Sequence, residues 1–251
     1  RQRAQFALAD HDLESLPLFE KAIQPNQPLM RRIHGIWGIG QLGQKNPSAL
    51  NSLARLIGDK EMEIRANLAR TLGNHGKHLA PFRKALIAML EDSSPRVASL
   101  AAIALSNHGH QDAVEPAIKM LEKNDDNDVV VRHAGIMVLT KCAQFAPEWK
   151  YYDHRSTAVR RAIVIALRRH KSHLLETYFT DRDQSVRQEA IRAAYEMDVR
   201  KSYRALSNQA HSIALKVSPE VKWHPLTARR AIFAAWVLGQ AKDAEVIAKI
   251  A

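Results

Sequence analysis

Apolar residues along this chain recur at intervals of three and four, the spacing that places side chains on one face of an α-helix. After Arg65, for example, Leu68, Ala69 and Leu72 fall in one such stripe. Glycines follow several stripes and are predicted to end the helices as C-terminal caps: Gly43, Gly73, Gly109 and Gly239. The pattern therefore predicts an all-α protein.

A second amphipathic stretch precedes several of these stripes. Residues 47–59, 80–92 and 112–124 each carry Leu, Ile or Met at three-to-four spacing and lead into a short acidic turn. The two stretches and the turn form a hairpin, in which the first stretch is helix A and the second is helix B. A hairpin of this size cannot bury its own apolar face, so neighbouring copies are expected to cover one another.

The turn and the start of helix B repeat a short motif. DKEMEIR at 59–65, DNDVVVR at 126–132 and DRDQSVR at 181–187 each begin with Asp and end with an apolar residue followed by Arg. Related steps extend the series through Arg1, Arg32, Arg65, Ala98, Arg132, Arg160, Arg187 and Arg229, at intervals of 31, 33, 33, 34, 28, 27 and 42 residues. This predicts one domain over 1–251, a right-handed α-solenoid of six to seven hairpins, regular over 1–144 and irregular over 145–251.

The repeated acid and arginine are predicted to hold the hairpins together. Asp59, Asp126 and Asp181 are expected to accept hydrogen bonds from the first free N–H groups of helix B. The Arg one turn inside helix B is expected to reach the turn carboxylate of the next hairpin, since a guanidinium pairs well with a carboxylate. Such contacts would form a polar ladder beside the core. The alternative is that these groups bind a ligand.

Two segments interrupt the repeat. FAPEWKYYDH (145–154) is too short for a normal helix A and concentrates Trp149, Tyr151 and Tyr152. KVSPEVKWHP (216–225) carries Trp223 and two prolines. Loops often carry binding residues, so these aromatic side chains are candidate binding residues. The alternative is that they fill the space of a missing helix.

The chain carries a formal net charge of +11, which favours an acidic protein, nucleic acid or anionic lipid as partner. The predicted binding face lies on the B helices and comprises Arg65, Arg132, Arg160, Arg161, Arg168, Arg169 and Arg187. Because the ladder aspartates absorb part of this charge, a protein partner with an acidic surface is favoured over nucleic acid. No apolar run is long enough to span a membrane.

The sequence holds no recognised catalytic constellation. Its one cysteine, Cys142, lies among apolar residues and is predicted to be a buried thiol. Close histidines such as His75 and His78 lie at helix ends and match no metal-binding motif. There is no phosphate-binding glycine loop, nucleophile elbow or paired-carboxylate motif. We therefore expect a segment with no catalytic residue, no metal ligand and no cofactor.

The hairpins resemble the HEAT repeat family, on the basis of Asp at the turn, Val or Ile followed by Arg in helix B, and then Ala and Leu. A narrower resemblance covers nearly the whole chain. RIHGIWGIGQLG (32–43), STAVRRAIVIALRRH (156–170) and PLTARRAIFAAWVLGQAKDAEVIAKIA (225–251) are similar to the HEAT segment of large secreted dehydrogenase-like proteins of planctomycetes and their relatives. That segment lies between a sugar-dehydrogenase-like β-propeller and a haem-binding cytochrome c domain. The resemblance implies a non-catalytic connector with a periplasmic or secreted location.

The rival family is that of the HEAT-like alkylpurine DNA glycosylases, which are basic, all-helical and of similar length. They use Trp and Asp on the concave face to handle a damaged nucleotide, and Trp149 and Asp153 are four residues apart here. The surrounding residues differ from that family, and Pro147 disfavours a long helix across this stretch. Under this alternative the basic face of the B helices would bind DNA.

Overall fold

The computed structural model describes residues 2–78, 80–214, 224–238 and 240–250, and this part of the chain consists of helices and turns without a strand. Its α-helices are α1 Gln2–Asp10, α2 Leu16–Ala22, α3 Leu29–Lys45, α4 Met62–Gly73, α5 Arg83–Ala88, α6 Pro95–Ser106, α7 Val114–Asn124, α8 Val129–Cys142, α9 Thr157–Arg169, α10 Gln184–Glu196, α11 Tyr203–Ala214, α12 Pro225–Leu238 and α13 Ala241–Ile250. Short 3₁₀ segments connect them. The predicted all-α fold is confirmed. Trp223 and Gly239 lie outside the described residues.

The chain divides into two compact units, residues 1–143 and 144–251. The division falls where the sequence changes from regular to irregular repeats. In the N-terminal unit the B helices α3, α4, α6 and α8 pack in a row, each against the next. Ile39, Leu72, Leu105 and Leu139 hold the same position in these helices and are all buried in the core. The predicted stack of helical hairpins is thus present in this unit.

The A side of the hairpins departs from the expected regular helices. The segment Pro47–Leu56 is a 3₁₀ helix, and Leu50, Leu53 and Leu56 are its buried residues at intervals of three. A 3₁₀ helix has three residues per turn, so this spacing aligns the three leucines on one side. Within 80–92 only Arg83–Ala88 is α-helical, flanked by 3₁₀ turns. Of the three predicted A helices, α7 comes closest to the expected form.

Among the predicted glycine caps in the described residues, Gly43 is wrong, Gly73 ends its helix and Gly109 agrees with the prediction. Gly43 lies inside α3, where a Cβ atom would come within 2.5 Å of Leu50 Cδ2. Gly73 is the last residue of α4, and its Cβ would lie 3.0 Å from the Cβ of Ala104 on α6. These two glycines allow close packing. Gly109, with φ of +66°, adopts the left-handed backbone expected of a glycine that follows a helix.

The C-terminal unit keeps the row of B helices but shortens the A side. Helix α9 packs against α10, α10 against α12, and α12 against α11 and α13. The 3₁₀ segment His173–Tyr178 stands on the A side of α10, while residues 144–156 form turns and no helix. This second segment coincides with the aromatic stretch identified in the sequence.

Candidate functional site

Arg65 shows what the repeated Asp-to-Arg motif does. Its Nε donates to Asp92 Oδ2 at 2.7 Å and its Nη2 donates to Asp92 Oδ1 at 2.9 Å. Its Nη1 donates to the backbone carbonyl of Asp59, six residues earlier in the chain, at 2.7 Å. One guanidinium therefore ties the turn before its own helix to the turn of the next hairpin, which confirms the ladder predicted for this step.

The same arrangement recurs in the C-terminal unit. Arg160 Nε donates to Asp181 Oδ2 at 2.7 Å, and Nη2 donates to Asp181 Oδ1 at 3.1 Å. Its Nη1 donates to the carbonyl of His154, again six residues back, at 2.7 Å. In the N-terminal unit, Arg32 pairs with both carboxylate oxygens of Asp59. The side chain of Arg160 is only 1% exposed, so it belongs to the interior.

The ladder aspartates do not cap helix B as predicted. Asp59 accepts the N–H of Glu61 at 3.0 Å and Asp181 accepts the N–H of Asp183 at 2.7 Å, so each closes the turn ahead of the helix. The cap lies two residues later. Asp183 accepts the N–H groups of Ser185 and Val186, which are free donors of the first helical turn. In the hairpin of Asp181, the acid that binds the arginine and the acid that caps the helix are therefore different residues, whereas no described side chain caps α4 after Asp59.

The ladder changes where its motif is incomplete. Ala98 stands at the arginine position of α6, so Asp126 receives no guanidinium from that position. Asp126 instead lies 3.7 Å from Nη1 of Arg132 in its own hairpin. Arg187 keeps the bond to its own turn, donating to the carbonyl of Asp181. Asp126 therefore fits the predicted ladder only in part.

The ladder contacts shift the pKa values of Asp59, Arg65 and Asp92. The hydrogen bond from Arg65 is the largest influence on Asp92 and, with the Ser94 N–H and the Arg65 charge, it lowers the pKa of that carboxyl despite burial. Burial acts most strongly on Asp59, but the Arg32 contacts and the Glu61 N–H together outweigh it and the pKa is lowered. The pKa of Arg65 is raised, chiefly by its bond to Asp92. The Asp59 and Asp92 carboxylates and the Arg65 guanidinium therefore remain charged at neutral pH.

Several arginines predicted to form a basic binding face are engaged with acids. Arg65 and Arg160 belong to the ladder, and Arg168 lies between Glu189 at 3.4 Å and Glu196 at 3.0 Å. Arg161 donates to Ser185 Oγ at 2.9 Å. Arg169 is exposed at the end of α9. The structure thus brings these side chains to the B helices but leaves much of their charge neutralised.

The aromatic stretch packs largely on itself. Trp149 makes edge-to-face contacts with Phe145, Tyr151 and Tyr152, at centroid distances of 5.0, 5.1 and 5.5 Å. Tyr152 is 8% exposed and also contacts Tyr178, and burial raises the pKa of Tyr152 to about 12. This arrangement favours the interpretation that the rings fill the space of the missing helix A.

A surface that the sequence interpretation missed lies on the B helices of the N-terminal unit. Trp37, Arg70, Ile103 and Met137 each follow the ladder position by five residues, and each is at least partly exposed. We call the surface marked by these four residues the B face. The signal available in the sequence was an apolar residue on the otherwise polar side of helix B at three of these positions, the fourth being Arg70.

Two grooves open on the B face. The apolar groove has a volume of about 560 Å³ and runs over α4, α6 and α8; Met62, Leu100, Ile103 and Val130 line it, together with Arg96. The amide groove has a volume of about 350 Å³ and runs over α1, α3 and α4; its lining includes Phe6, Trp37, Gln41, Gln44 and Asn74. Arg70 lines both grooves.

The side chains of His75, His108 and Cys142 contribute to packing within the fold. Burial is the main cause that lowers the pKa of His75, which hydrogen-bonds the backbone at Gly40 on the preceding B helix. His108 Nε2 lies 3.3 Å from the carbonyl oxygen of Gly73, one helix further along. Cys142 is buried, and burial raises its pKa to about 11, which confirms the predicted buried thiol. Within the described residues no three His, Cys, Asp or Glu side chains cluster as a metal site requires.

Comparison with known protein families finds a match in the middle of the chain. Residues 83–145, from α5 to just past α8, match the family described as HEAT repeats. No curated protein matches the sequence. None of the described helices is long and apolar enough to cross a membrane.

Three solved structures with similar arrangements are distant from this chain in sequence. The complex of CpcE and CpcF of phycocyanin lyase from Nostoc sp. PCC7120 is 17% identical, with 94% of each chain covered and a TM-score of 0.47. An engineered protein is 18% identical, with 87% of this chain and 95% of that chain covered and a TM-score of 0.45. Human deoxyhypusine hydroxylase is 15% identical, with 98% and 91% covered and a TM-score of 0.39.

Proposed function

We propose that this chain is a non-catalytic repeat scaffold that binds a protein partner on the B face. The observation that carries the proposal is the apolar groove. Val130 is 58% exposed and Met62 is 41% exposed, although both belong to B helices whose apolar residues mostly form the core. Clustered apolar side chains left open to water on a folded protein are typical of a protein interface.

The rim of the apolar groove suits the same role. Arg96 lies beside the exposed apolar side chains and is within 3.3 Å of Glu63 on the neighbouring helix, whereas Ser94 and Ser99 in the lining are buried. Protein interfaces commonly combine an apolar centre with a polar rim that includes arginine. The lining therefore offers both the contact area and the directional groups that a protein partner needs.

The ladder supports a scaffold role because it fixes neighbouring hairpins at their turns. Arg32–Asp59 and Arg65–Asp92 join three successive hairpins that carry the B face. A surface held rigid before binding loses less conformational entropy when a partner arrives. We expect the ladder to stabilise the B face rather than to contact the partner.

A site-specific cross-linking experiment tests the proposal. A photoreactive phenylalanine analogue placed at Val130 should capture a defined protein from an extract of the source cells. The same analogue at Lys84, exposed on α5 of the A side, is the matched control and should capture little. Equal capture at both positions, or capture at neither, would contradict a partner on the B face.

A narrower form of the proposal follows from the resemblance to secreted dehydrogenase-like proteins. In that form the chain connects a sugar-dehydrogenase-like propeller to a cytochrome c domain, and the partner is one of these flanking domains. Mass spectrometry and a haem absorption spectrum of the protein purified from its natural source test it. A longer polypeptide with covalent haem is the expected result, and a haem-free protein would remove the connector role.

The nucleic-acid alternative rests on the net charge of +11. The pairing of Arg168 with Glu189 and Glu196 weighs against it, because paired guanidinium groups are less available to phosphate. Fluorescence titration with duplex DNA at two salt concentrations separates the two proposals. Binding that weakens steeply as salt rises would favour nucleic acid, since phosphate contacts release counterions. We expect no binding at the lower salt concentration.

A further inference from the structure

Arg70 is a guanidinium without an acidic partner on the B face. It lies on the exposed side of α4, five residues after the ladder arginine Arg65, and makes no ion pair with any described residue. Arg32 and Arg65, by contrast, point to the turns and are neutralised there. A cation left uncompensated beside an apolar surface is a ready contact for an incoming anion.

Arg70 also has a special position relative to the grooves. It lines the apolar groove on one side and the amide groove on the other, so a ligand that spans both must pass it. Met62 and Ile103 are among the residues that line the apolar groove, and Trp37 is among those that line the amide groove. One positive charge therefore stands between two surfaces suited to apolar or aromatic side chains.

The charge of Arg70 is not balanced within the grooves. No carboxylate is among the described residues that line the amide groove. Asp128 is the acid that lines the apolar groove, and its Oδ1 already accepts the N–H groups of Val130 at 2.7 Å and Val131 at 3.2 Å at the start of α8. The grooves are thus complementary to a negative group and not to a positive one.

We propose that Arg70 is the anchor for an Asp or Glu side chain of an extended partner segment, and that apolar side chains of this segment enter the grooves on either side. This inference rests on the proposed function and names the chemistry of the partner. Packed helices lie about 8–10 Å apart and an extended chain advances about 3.3 Å per residue, so about three residues cross each helix. The acid and its apolar neighbours therefore lie within a short stretch.

The amide groove adds groups that fit the backbone of such a segment. Gln44 and Asn74 are exposed, and their side chains make no hydrogen bond with a described residue. A carboxamide offers both a donor and an acceptor, which are the two groups that a peptide bond presents. Trp37, held by its Nε1 bond to Asn67 Oδ1 at 3.0 Å, supplies a fixed aromatic surface next to them.

The experiment selects ligands for the intact chain from a phage library of random linear peptides. Enriched peptides are then synthesised with a fluorescent label and titrated by anisotropy against wild type, Arg70→Gln and Arg31→Gln. Arg31 is the matched control because it is also exposed on a B helix without an ion pair, but lies outside both grooves. Circular dichroism of each variant establishes that it is folded.

The expected result is a consensus with one Asp or Glu flanked by aromatic or aliphatic residues. Arg70→Gln should weaken binding by about 10-fold or more, the loss of one charge-assisted hydrogen-bonded contact, and Arg31→Gln should change it by less than about twofold. Replacing the acid of the peptide by its amide should weaken binding to wild type by a similar factor. The same replacement should have little further effect on Arg70→Gln, because the two groups form one interaction.

Other outcomes separate this inference from the proposed function. Peptides that block cross-linking at Val130 but lack an acid, or bind Arg70→Gln as well as wild type, overturn the anchor and leave the B face standing. Peptides that bind without affecting cross-linking at Val130, or a library without enrichment, also overturn the anchor, while the B face itself is decided by the cross-linking at Val130 and Lys84. Binding of an oligonucleotide that is lost in Arg70→Gln would assign the guanidinium to phosphate and overturn the peptide anchor.

Discussion

Arg65 on α4 and Asp92 in the following turn are joined by two parallel hydrogen bonds of 2.7 and 2.9 Å. The same arginine also holds the carbonyl of Asp59 at the start of its own turn. The six-residue interval from Asp to Arg is therefore the length of a turn plus the first turn of helix B. It is a structural repeat whose function is to link one hairpin to the next.

Removing a ladder acid should strongly destabilise the C-terminal unit. In Asp181→Ala the guanidinium of Arg160 would remain buried without its carboxylate, and loss of one partner of a buried pair costs about 3–5 kcal/mol. Urea unfolding followed by circular dichroism measures this change. Asp153→Ala, which removes an exposed partner of Arg182, is the control and should cost less than about 1 kcal/mol.

A double variant tests whether the instability of Asp181→Ala comes from the unpaired charge of Arg160. In Arg160→Met with Asp181→Leu neither charge is buried, so most of the stability lost in Asp181→Ala should return. If the double variant is as unstable as the single one, the loss in Asp181→Ala does not come from the unpaired charge of Arg160, and this explanation of the single variant is wrong.

Gly38 should not tolerate a side chain. A Cβ at this position would lie 2.2 Å from Cε1 of Phe19, so Gly38→Ala must displace a buried ring and should lose about 1–3 kcal/mol. A Cβ added at Gly58 would have no atom within 4 Å, so Gly58→Ala should leave the stability unchanged or raise it by up to about 1 kcal/mol. Thermal unfolding of both variants provides the measurement. Equal losses would show that the packing of Phe19 is not the cause.

Stability should fall as the solution is acidified through the histidine range. Burial lowers the pKa of His75 below its usual value, so the unfolded chain binds this proton first as pH decreases. The contribution is present above about pH 6.5, the unfolded value, and is lost as pH falls towards the folded pKa. Burial lowers the pKa of His108 as well, with the same sign.

The urea midpoint measured at neutral pH and in the mildly acidic range tests this. The double variant His75→Gln with His108→Gln should lose less stability on acidification than wild type, because two imidazoles with a lowered pKa have been removed. If the urea midpoint of the double variant falls as much on acidification as that of wild type, these histidines do not cause the loss of stability.

Cys142 should be unreactive in the folded protein. Its thiol is buried and burial raises its pKa to about 11, so little thiolate exists at neutral pH and reagents do not reach it. Iodoacetamide should modify the protein slowly in buffer and rapidly in urea, as followed by mass spectrometry. Rapid modification of the native protein would mean that the end of α8 opens readily.

Features set by neighbours in the chain were predictable from the sequence. The stripe after Arg65, the hairpin pattern and the ladder contact between successive turns all follow from local spacing repeated about every 33 residues. The prediction failed where one residue type can serve either of two local structures. Asp59 was expected to cap a helix and closes a turn instead, and Gly43 was expected to end α3 and lies within it.

The sequence by itself determined that this chain forms helical hairpins and that Asp and Arg join them, because both depend on residue type at fixed intervals. Only the tertiary structure decided which cations remain available. Arg160 was among the predicted binding residues and Arg70 was not, yet Arg160 is buried against Asp181 while Arg70 stands between two grooves without an ion pair to any described residue. The reason is that the partner of each guanidinium comes from another hairpin, and its presence depends on how the hairpins pack.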